Sequence, residues 1–501
     1  MASPPTTAAA DGGKQNQQKL HFVLFPFMAQ GHMVPMMDIA MVLAQRGVLV
    51  SVVTTPVNAA RFESQIRRNA LPINLYPLDF PCAESGLPDG CESFDLLPSF
   101  SLAANFFAAS ARMEAQAESL LGNLSPPPSC IVADISLPYT ATLAAKFGIP
   151  RFSFQGFGCL CLLTVRLICL HPEEIDTSDS DSDYFSLTGL HRIKFTRNQL
   201  PIRIGKENRG IGVQMLKAES ESNGVIMNSF EELETEYIEE LKKGEGGNGK
   251  IWCVGPVSLT TGDQLDRGGS RVGDSAIIDW LDSKDTHSII YVCFGSTFNP
   301  KPDLLIELGL GLEASNQPFI WVIRGNSKEN SGELQNWIAG SGFEERTAGR
   351  GLLVRGWAPQ VAILSHRAVG GFLTHCGWNA TMEGIGAGMP LITWPLLGDQ
   401  FVNEKLAVEV LGIGVSLGVE QPVMVDWEEV EASAAVVKRE DVVRAVRRVV
   451  DGGEEGEAMR KRAAELAGMA RRAVESGGSS YENVTRLIED VKKYQRGKCD
   501  D

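Results

Sequence analysis

Short apolar runs alternate with helically spaced apolar residues along the chain. In the first half, residues 20–27 have the pattern of a buried strand, residues 34–45 have helical spacing, and residues 48–54 have the pattern of a second strand. The second half shows the same alternation, beginning with residues 288–294 and 302–315. Strands that alternate with helices in this way predict parallel sheets covered by helices on both faces. The sequence therefore predicts an α/β protein built from doubly wound, Rossmann-like units.

The length of the chain bears on its domain organisation. A chain of 501 residues is too long for a single hydrophobic core, so two domains are expected. We predict a disordered tail at residues 1–18, a Rossmann-like domain at 19–257, a linker at 258–275 and a second Rossmann-like domain at 276–479. A final helix is predicted within residues 480–501.

Composition and charge narrow the classes of function. Contents of 44% apolar and 22% charged residues are typical of a globular protein, and a formal net charge of −16 argues against nucleic acid and anionic membranes as partners. No apolar run approaches the roughly 18 residues of a membrane-spanning helix. The ten cysteines show no C-x-x-C spacing and the polar opening has no secretory apolar segment, which predicts reduced thiols. We therefore expect a cytoplasmic monomer that binds neither nucleic acid nor membranes.

Residues 357–400 concentrate polar side chains at the ends of predicted elements. Their pattern predicts strand, loop, helix, strand and loop, with the first strand ending at His375 and the helix beginning at Trp378. In such a unit the helix N-terminus lies at the carboxyl end of a strand, where free N–H groups and the helix dipole favour a phosphate. His375 can donate to a pyrophosphate oxygen. This stretch is therefore a candidate phosphate site.

The other polar residues of the stretch have the chemistry that a sugar nucleotide requires. Asn379 lies in the first helical turn, and Glu383 lies one turn further on the same face, where a carboxylate can accept from both hydroxyls of a ribose. Trp357 offers a flat face to a base, and Asp399 with Gln400 can bond several hydroxyls of a neutral sugar. Each residue alone has an ordinary structural explanation, but their combination in this order is hard to explain by packing.

These 44 residues closely resemble, without gaps, the signature box of plant family 1 UDP-sugar glycosyltransferases. The resemblance implies the GT-B fold, in which two Rossmann-like domains face each other across a cleft. The donor then binds to the second domain and the acceptor to the first, and the final helix crosses back to the first domain. The implied donor site comprises Ser296, Trp357, Ala358, Gln360, His375, Gly377, Trp378, Asn379, Ala380, Glu383, Asp399 and Gln400.

The resemblance also assigns roles within the nucleotide site. Trp357 would stack on uracil, and Ala358 and Gln360 would contact the uridine. Glu383 would bind the ribose, and Ser296, at the end of an apolar strand, would lie beside the diphosphate.

For the pyrophosphate and the sugar, the resemblance implies a further set of contacts. His375 and Asn379 would hold the pyrophosphate, and Trp378, Asp399 and Gln400 would contact the sugar. A glutamine at the last position of the box usually accompanies glucose rather than galactose as the donor sugar.

One position of the box departs from the family pattern. The family usually has serine where this chain has Ala380, so one hydroxyl donor to phosphate is lost, worth about 1 kcal/mol at most. The backbone N–H groups between Gly377 and Ala380 are kept. We expect somewhat weaker donor binding with activity retained.

A candidate general base lies in the first half of the chain. A predicted turn at Gly31 and His32 follows the first strand, and Asp134 follows a short apolar strand at residues 130–133. Ligands of doubly wound sheets bind at strand carboxyl ends, and a carboxylate on one ring nitrogen fixes the tautomer of an imidazole base. Taken alone, His32 is better explained as a cap of the following helix. Both residues match the family pattern, in which the early histidine is the base and this aspartate its partner.

Apolar residues near the candidate base predict an acceptor pocket for a planar or polycyclic hydrophobic molecule. The residues that we assign to it are Met28, Gly31, Phe154 and Phe157.

The residues and the resemblance together predict an inverting, UDP-glucose-dependent O-glucosyltransferase. We expect neither metal nor other cofactor, since no carboxylate or histidine cluster has ligand spacing. A flavonoid is the first expectation for the acceptor, with a triterpenoid, a steroid, a small phenolic or a hormone as alternatives.

Three other classes of function fit the sequence less well. A nucleotide-sugar-binding protein without catalysis would lack the base. A nicotinamide oxidoreductase would need a G-x-G-x-x-G after the first strand, which this chain does not have. An enzyme resembling glycogen phosphorylase would normally use a pyridoxal lysine and lack the box.

Overall fold

The computed structural model describes most of the chain. It describes residues 19–171, 175, 183–190, 192–201, 209–244, 249–260, 274–296, 300–323, 330–422 and 437–497. The predicted disordered tail (1–18) and most of the predicted linker (261–273) lie outside the described residues.

The first of two parallel sheets has the strand order β3-β2-β1-β4-β5-β6-β7. The chain runs outward from β1 to one edge and then returns to β4 beside β1, so the order reverses between these two strands. Such a switch point leaves a crevice at the strand carboxyl ends. The strands are β1 His21–Phe25, β2 Leu49–Thr54, β3 Ile73–Pro77, β4 Cys130–Asp134, β5 Arg151–Gln155, β6 Val225–Met227 and β7 Ile251–Cys253.

The second sheet has the order β10-β9-β8-β11-β12-β13, again parallel throughout. Its order reverses between β8 and β11. Its strands are β8 Ile289–Cys293, β9 Phe319–Ile323, β10 Gly351–Arg355, β11 Val369–Thr374, β12 Leu391–Thr393 and β13 Gly414–Ser416.

Helices cover both faces of each sheet. Those associated with the first sheet are α1 Gln30–Gln45, α2 Pro56–Asn69, α3 Ala103–Arg112, α4 Glu114–Asn123, α5 Tyr139–Phe147, α6 Cys159–Leu170, α7 Arg209–Ser220 and α8 Thr235–Lys243. The later helices are α9 Asp274–Asp282, α10 Pro302–Ser315, α11 Asn330–Gly340, α12 Phe343–Arg346, α13 Gln360–Leu364, α14 Trp378–Ala387, α15 Asp399–Lys405, α16 Arg439–Val450, α17 Gly453–Val474 and α18 Ser479–Gly497.

The central strands are mostly apolar because both of their faces are buried. In β1, Phe22 and Leu24 pack into the core on one face of the sheet, while Val23 and Phe25 pack into the core on the other. This alternation follows from the two-residue period of a strand, and burial on both sides explains the continuous apolar run in the sequence.

Helix α1 begins earlier than predicted. The chain turns at Phe27–Ala29, where the Ala29 N–H donates to the Phe27 carbonyl at 2.8 Å, so the helix starts at Gln30. The predicted turn at Gly31 and His32 is therefore wrong, and His32 lies in the first turn of a helix that points its N-terminus into the crevice.

The final helix α18 packs against the first sheet. The Ser480 hydroxyl donates to the Gly255 carbonyl at 2.6 Å, and the Asn483 amide donates to the Cys253 carbonyl at 3.1 Å. Val484 and Leu487 join the same apolar cluster as Phe22 of β1.

Two doubly wound parallel sheets, each with its own core, confirm the predicted GT-B architecture of two Rossmann-like domains. Within the described ranges, no helix is both long enough and apolar enough to cross a membrane.

Candidate active site

A cavity of about 430 Å³ lies between the carboxyl ends of the two sheets. Both domains contribute to its wall, since residues that follow β1, β4 and β5 face residues that follow β8, β11 and β12. Among the residues predicted from sequence, those that line it are Gly31, His32, Phe157, Ser296, Trp357, Ala358, Gln360, His375, Gly377, Trp378, Asn379, Ala380, Glu383, Asp399 and Gln400.

His32 and Asp134 form a hydrogen-bonded pair at the first-domain side of the cavity. The His32 Nδ1 lies 2.7 Å from Asp134 Oδ2, and the other carboxylate oxygen accepts from the Ser136 backbone N–H at 2.9 Å. A carboxylate only accepts hydrogen bonds, so Nδ1 carries the proton and Nε2 is the basic nitrogen. The His32 side chain is 30% exposed to the cavity, whereas Asp134 is fully buried behind it.

The charges around His32 favour its protonated form. Burial lowers the pKa of the His32 imidazole, but the charge and hydrogen bond of Asp134, with the charge of Asp399, more than offset this and hold the pKa above its usual value. Burial also raises the pKa of Asp399 to about 6, against the opposing effects of Asn403 and of His32. Asp399 belongs to the second domain, so groups from both domains set the charge of this imidazole.

A glycine behind the histidine was not identified from the sequence. A Cβ on Gly156 would lie 2.9 Å from His32 Cε1, closer than side-chain carbons approach ring atoms. Gly156 follows β5 in the segment Gln155-Gly156-Phe157-Gly158, and two glycines directly after a buried strand were the available signal. A side chain at residue 156 would displace the imidazole.

Two glycines likewise enclose His375, the residue predicted to hold the pyrophosphate. A Cβ on Gly377 would lie 2.4 Å from His375 Nε2, and a Cβ on Gly295 would lie 2.5 Å from its Cε1. Gly295 also has a φ of +76°, and Cys376 has a φ of +62°. The backbone after β8 and β11 is therefore shaped closely around this imidazole, directly before the N-terminus of α14.

A chain of hydrogen bonds orders the predicted nucleotide end of the cavity. The Tyr291 hydroxyl donates to Gln360 Oε1 at 3.2 Å, and Gln360 Nε2 donates to Glu383 Oε2 at 2.6 Å. Because a carboxylate only accepts, the Gln360 NH₂ group must face Glu383, which leaves the amide oxygen to accept from the Tyr291 hydroxyl. Trp357 and Ala358 line the cavity beside this chain. Tyr291 was missed from sequence because it lies mid-strand in an apolar run.

The other end of the second-domain wall carries Asp399 and Gln400. Gln400 Oε1 accepts from the backbone N–H groups of Leu396 and Leu397 at 2.8 and 3.2 Å, which leaves its NH₂ group as the part that can donate to a ligand. Asp399 Oδ2 accepts from Asn403 at 3.0 Å. Hydrogen bonds within residues 396–403 therefore fix the orientation of both side chains.

Comparison with known proteins decides the family. Residues 274–447 match the family model described as UDP-glucoronosyl and UDP-glucosyl transferase, and residues 18–259 match a glycosyltransferase N-terminal domain. The chain is 48% identical over 482 residues to UDP-glycosyltransferase 73C13 of Barbarea vulgaris, covering 94% of this chain and 96% of the relative. It belongs to the UDP-glycosyltransferase family. It is also 47% identical over 482 residues to UDP-glycosyltransferase 73C6 of Arabidopsis thaliana, with 94% and 96% of the two chains covered.

A solved structure agrees with this glycosyltransferase over nearly its whole length. It is that of UGT73P12 of Glycyrrhiza uralensis complexed with glycyrrhetinic acid 3-O-monoglucuronide, with a TM-score of 0.86 and 35% identity. The match covers 96% of this chain and 98% of the other.

Within this glycosyltransferase, two predicted donor residues make contacts that the sequence did not predict. The Trp378 indole N–H donates to the Asn228 carbonyl at 2.8 Å, and its ring packs against Gly158, so this donor is not available to a sugar. Trp378 nevertheless lines the cavity, and its contact with the sugar stays a prediction. The Asn379 amide donates to the Gly31 carbonyl of the first domain.

The predicted acceptor pocket of the glycosyltransferase is partly wrong. Gly31 and Phe157 line the cavity, but Met28 and Phe154 do not. Phe154 is fully buried in the core shared with Phe152, and Met28 is 1% exposed. Proximity to a strand end did not distinguish side chains that face the cleft from those that face the core.

Aromatic residues that the sequence analysis did not assign to the acceptor pocket complete the predicted acceptor end. Phe27 and Phe107 are stacked, with ring centroids 5.2 Å apart and an interplanar angle of 16°, and Phe94 and Phe100 join them in lining the cavity. Three of these rings come from the segment between β3 and β4, far in sequence from His32, so no local pattern linked them to the site.

Proposed function

We propose that this UDP-glycosyltransferase transfers glucose from UDP-glucose, with inversion, to a hydroxyl group of a hydrophobic plant metabolite. The observation that carries the proposal is the His32–Asp134 pair, 2.7 Å apart, opening into the same cavity as the signature-box residues. A base on one wall and a nucleotide-sugar site on the other have the arrangement that a direct displacement requires.

In the proposed reaction, His32 Nε2 takes the proton of the acceptor hydroxyl while the oxygen attacks the anomeric carbon. The bond between that carbon and the UDP oxygen breaks, and its electron pair leaves with UDP. Asp134 keeps the Nδ1 proton in place and balances the imidazolium charge. The charge on the leaving diphosphate is stabilised by His375, by Ser296 and by the N–H groups at the start of α14.

The donor assignment is supported by the family resemblance and by side-chain orientation. Gln360 Nε2 donates to Glu383 Oε2 at 2.6 Å. This arrangement suits a carboxylate that binds the ribose beside an amide that contacts the base. Gln400 offers an NH₂ group from the last position of the box, where glutamine usually accompanies glucose. We assign the uracil to Trp357 and the sugar to Asp399 and Gln400.

For the acceptor we propose a flavonoid. The aromatic wall formed by Phe27, Phe94, Phe100 and Phe107 can stack on flat phenolic rings. A triterpenoid is the second candidate, because the similar Glycyrrhiza uralensis structure, at 35% identity, was solved with glycyrrhetinic acid 3-O-monoglucuronide.

We also propose that the reaction needs no metal ion and that the enzyme acts as a cytoplasmic monomer. The charge that a metal would neutralise on the diphosphate is assigned instead to His375 and the N-terminus of α14.

The test is to incubate the purified protein with UDP-glucose, EDTA and a mixed panel of flavonoids and triterpenoids, followed by mass spectrometry. A hexose adduct on a flavonoid in the presence of EDTA is expected. An adduct found only on triterpenoids would show that the acceptor is a triterpenoid and not a flavonoid. Loss of product on adding EDTA, restored by Mg²⁺, would overturn metal independence, and no turnover despite binding of UDP-glucose would favour a binding protein.

A further inference from the structure

One buried residue of the first domain contacts both residues that begin the donor helix α14. Asn228, which follows β6 and is 3% exposed, accepts the Trp378 indole N–H on its backbone carbonyl at 2.8 Å. Its side-chain amide donates to Asn379 Oδ1 at 3.2 Å. The N-terminus of α14 is thus held by the opposite domain.

The direction of these hydrogen bonds is fixed by the backbone. The Val257 N–H donates to Asn228 Oδ1 at 3.0 Å, and a backbone N–H has no acceptor form. The Asn228 oxygen therefore faces Val257 and its NH₂ group faces Asn379. A Cβ on Gly255 would lie 2.3 Å from that oxygen, so the space around the amide is closed.

Asn228 and the Gly31 carbonyl together set the orientation of Asn379. Because Asn379 Oδ1 receives the Asn228 amide, its own NH₂ group points the other way, towards the cleft, where it donates to the Gly31 carbonyl. An NH₂ group has two hydrogens, so one donor remains for a ligand. Gly31 directly precedes His32, and the series of bonds therefore ends beside the proposed base.

We infer that Asn228 is a positioning residue of the donor site, which keeps the Asn379 amide turned with its NH₂ group towards the pyrophosphate. The inference rests on the proposed function, in which Asn379 holds the pyrophosphate. Phosphate oxygens only accept hydrogen bonds, so an amide turned the other way would present its oxygen to an anion and oppose binding. On this account the first domain, which binds the acceptor, also determines how the second domain binds the donor.

The test compares UDP with uridine, which lacks the diphosphate, by calorimetry on the full chain. Asn228→Asp keeps the shape of the side chain, an acceptor for Val257 and the carbonyl for Trp378, but it cannot donate to Asn379. We expect the Kd for UDP to rise about 10- to 100-fold while that for uridine changes by less than about threefold. An equal loss for both ligands would indicate a general structural role and would overturn the inference.

A double mutant separates positioning from simple charge repulsion. If Asn228 acts through Asn379, the double mutant Asn228→Asp/Asn379→Ala has the same ratio of the Kd for UDP to the Kd for uridine as Asn379→Ala alone. If the double mutant loses more affinity for UDP relative to uridine than Asn379→Ala does, the new carboxylate repels the diphosphate directly, and the inference is wrong. If Asn379→Ala alone changes the ratio and Asn228→Asp does not, only the inference fails. If Asn379→Ala changes nothing, the proposed pyrophosphate contact fails and the inference with it.

Discussion

The two ends of the cleft are built by different means. At the proposed donor end, side chains are held by directed hydrogen bonds, as in the series from Tyr291 to Gln360 to Glu383 with distances of 3.2 and 2.6 Å. At the proposed acceptor end, the wall is made of aromatic rings that pack on one another, such as Phe27 on Phe107 with ring centroids 5.2 Å apart. Hydrogen bonds fix which atom faces the ligand, whereas apolar packing fixes only a shape.

This difference predicts how the two ends respond to change. Substitutions at the donor end should weaken every reaction of the enzyme, because all acceptors share one donor. Substitutions at the acceptor end should change which acceptor is used. His32 lies between the two ends and should affect turnover of all acceptors without affecting donor binding.

The largest expected effect is that of His32→Ala. Removing the base should lower turnover about 10²- to 10⁴-fold while the Kd for UDP stays the same. His366 provides a matched control, since it also pairs with an aspartate, Asp282 at 3.2 Å, but does not line the cavity. Near-normal turnover of His32→Ala, or an equal loss in His366→Ala, would contradict the base assignment.

The next largest effect is expected at the donor end with Gly377→Ala. A Cβ there would lie 2.4 Å from His375 Nε2, so the imidazole must move away from the phosphate position. We expect UDP to bind about 10- to 100-fold more weakly, as measured by calorimetry. Gly340→Ala is the control, because its Cβ meets no atom within 4 Å. If Gly377→Ala binds UDP as tightly as Gly340→Ala does, the packing of this loop does not determine donor binding.

At the acceptor end, Phe107→Leu should have a smaller and more selective effect. It removes one ring of the stacked pair but keeps an apolar wall, so we expect KM for a flavonoid to rise about 3- to 10-fold. The Kd for UDP should not change. A uniform loss over all acceptors, or weaker UDP binding, would show that the two ends are not independent.

A still smaller change is expected from Ala380→Ser, which restores the hydroxyl usual in the family. Turnover should be similar, and UDP-glucose should bind more tightly by up to about 1 kcal/mol. Titration calorimetry can resolve this difference. Clearly weaker binding would mean that the phosphate contact of the family does not transfer to this chain.

The smallest expected effect is a shift of the pH profile. His32 must be neutral to act as the base, so turnover should fall as the pH drops through its pKa, which lies above the usual value. Asp399, with a pKa of about 6, is ionised at neutral pH, and its negative charge helps to raise the pKa of His32. Asp399→Asn removes the negative charge, which lowers the pKa of His32. Whatever turnover is lost with the proposed sugar contact, the acidic limb of the profile, normalised to its maximum, moves to lower pH. An unchanged limb, or a shift to higher pH, would contradict this electrostatic link between the domains.

Sequence and structure agree best where function depends on contiguous residues. The box runs through 44 consecutive residues, and each polar residue predicted in it lines the cavity, because the ends of β11, α14 and β12 are brought together by local chain geometry. His32 and Asp134 could be related to each other because both follow central strands of a doubly wound sheet.

What the sequence did not predict depends on long-range packing. Phe94 and Phe107 reach the cavity from segments whose position no local pattern determines, and Phe154 lies on the core side of a strand whose register was unknown. Gly156 matters only because His32 packs against it. Asn228 acquires its contacts only when the two domains meet.

The central claim, a single displacement at the anomeric carbon, is tested most directly by the configuration of the product. The glucose of UDP-glucose is α-linked, so proton NMR of a purified product should show the large coupling of a β-anomeric proton. An α-linked product would contradict direct displacement and require a different mechanism at this site.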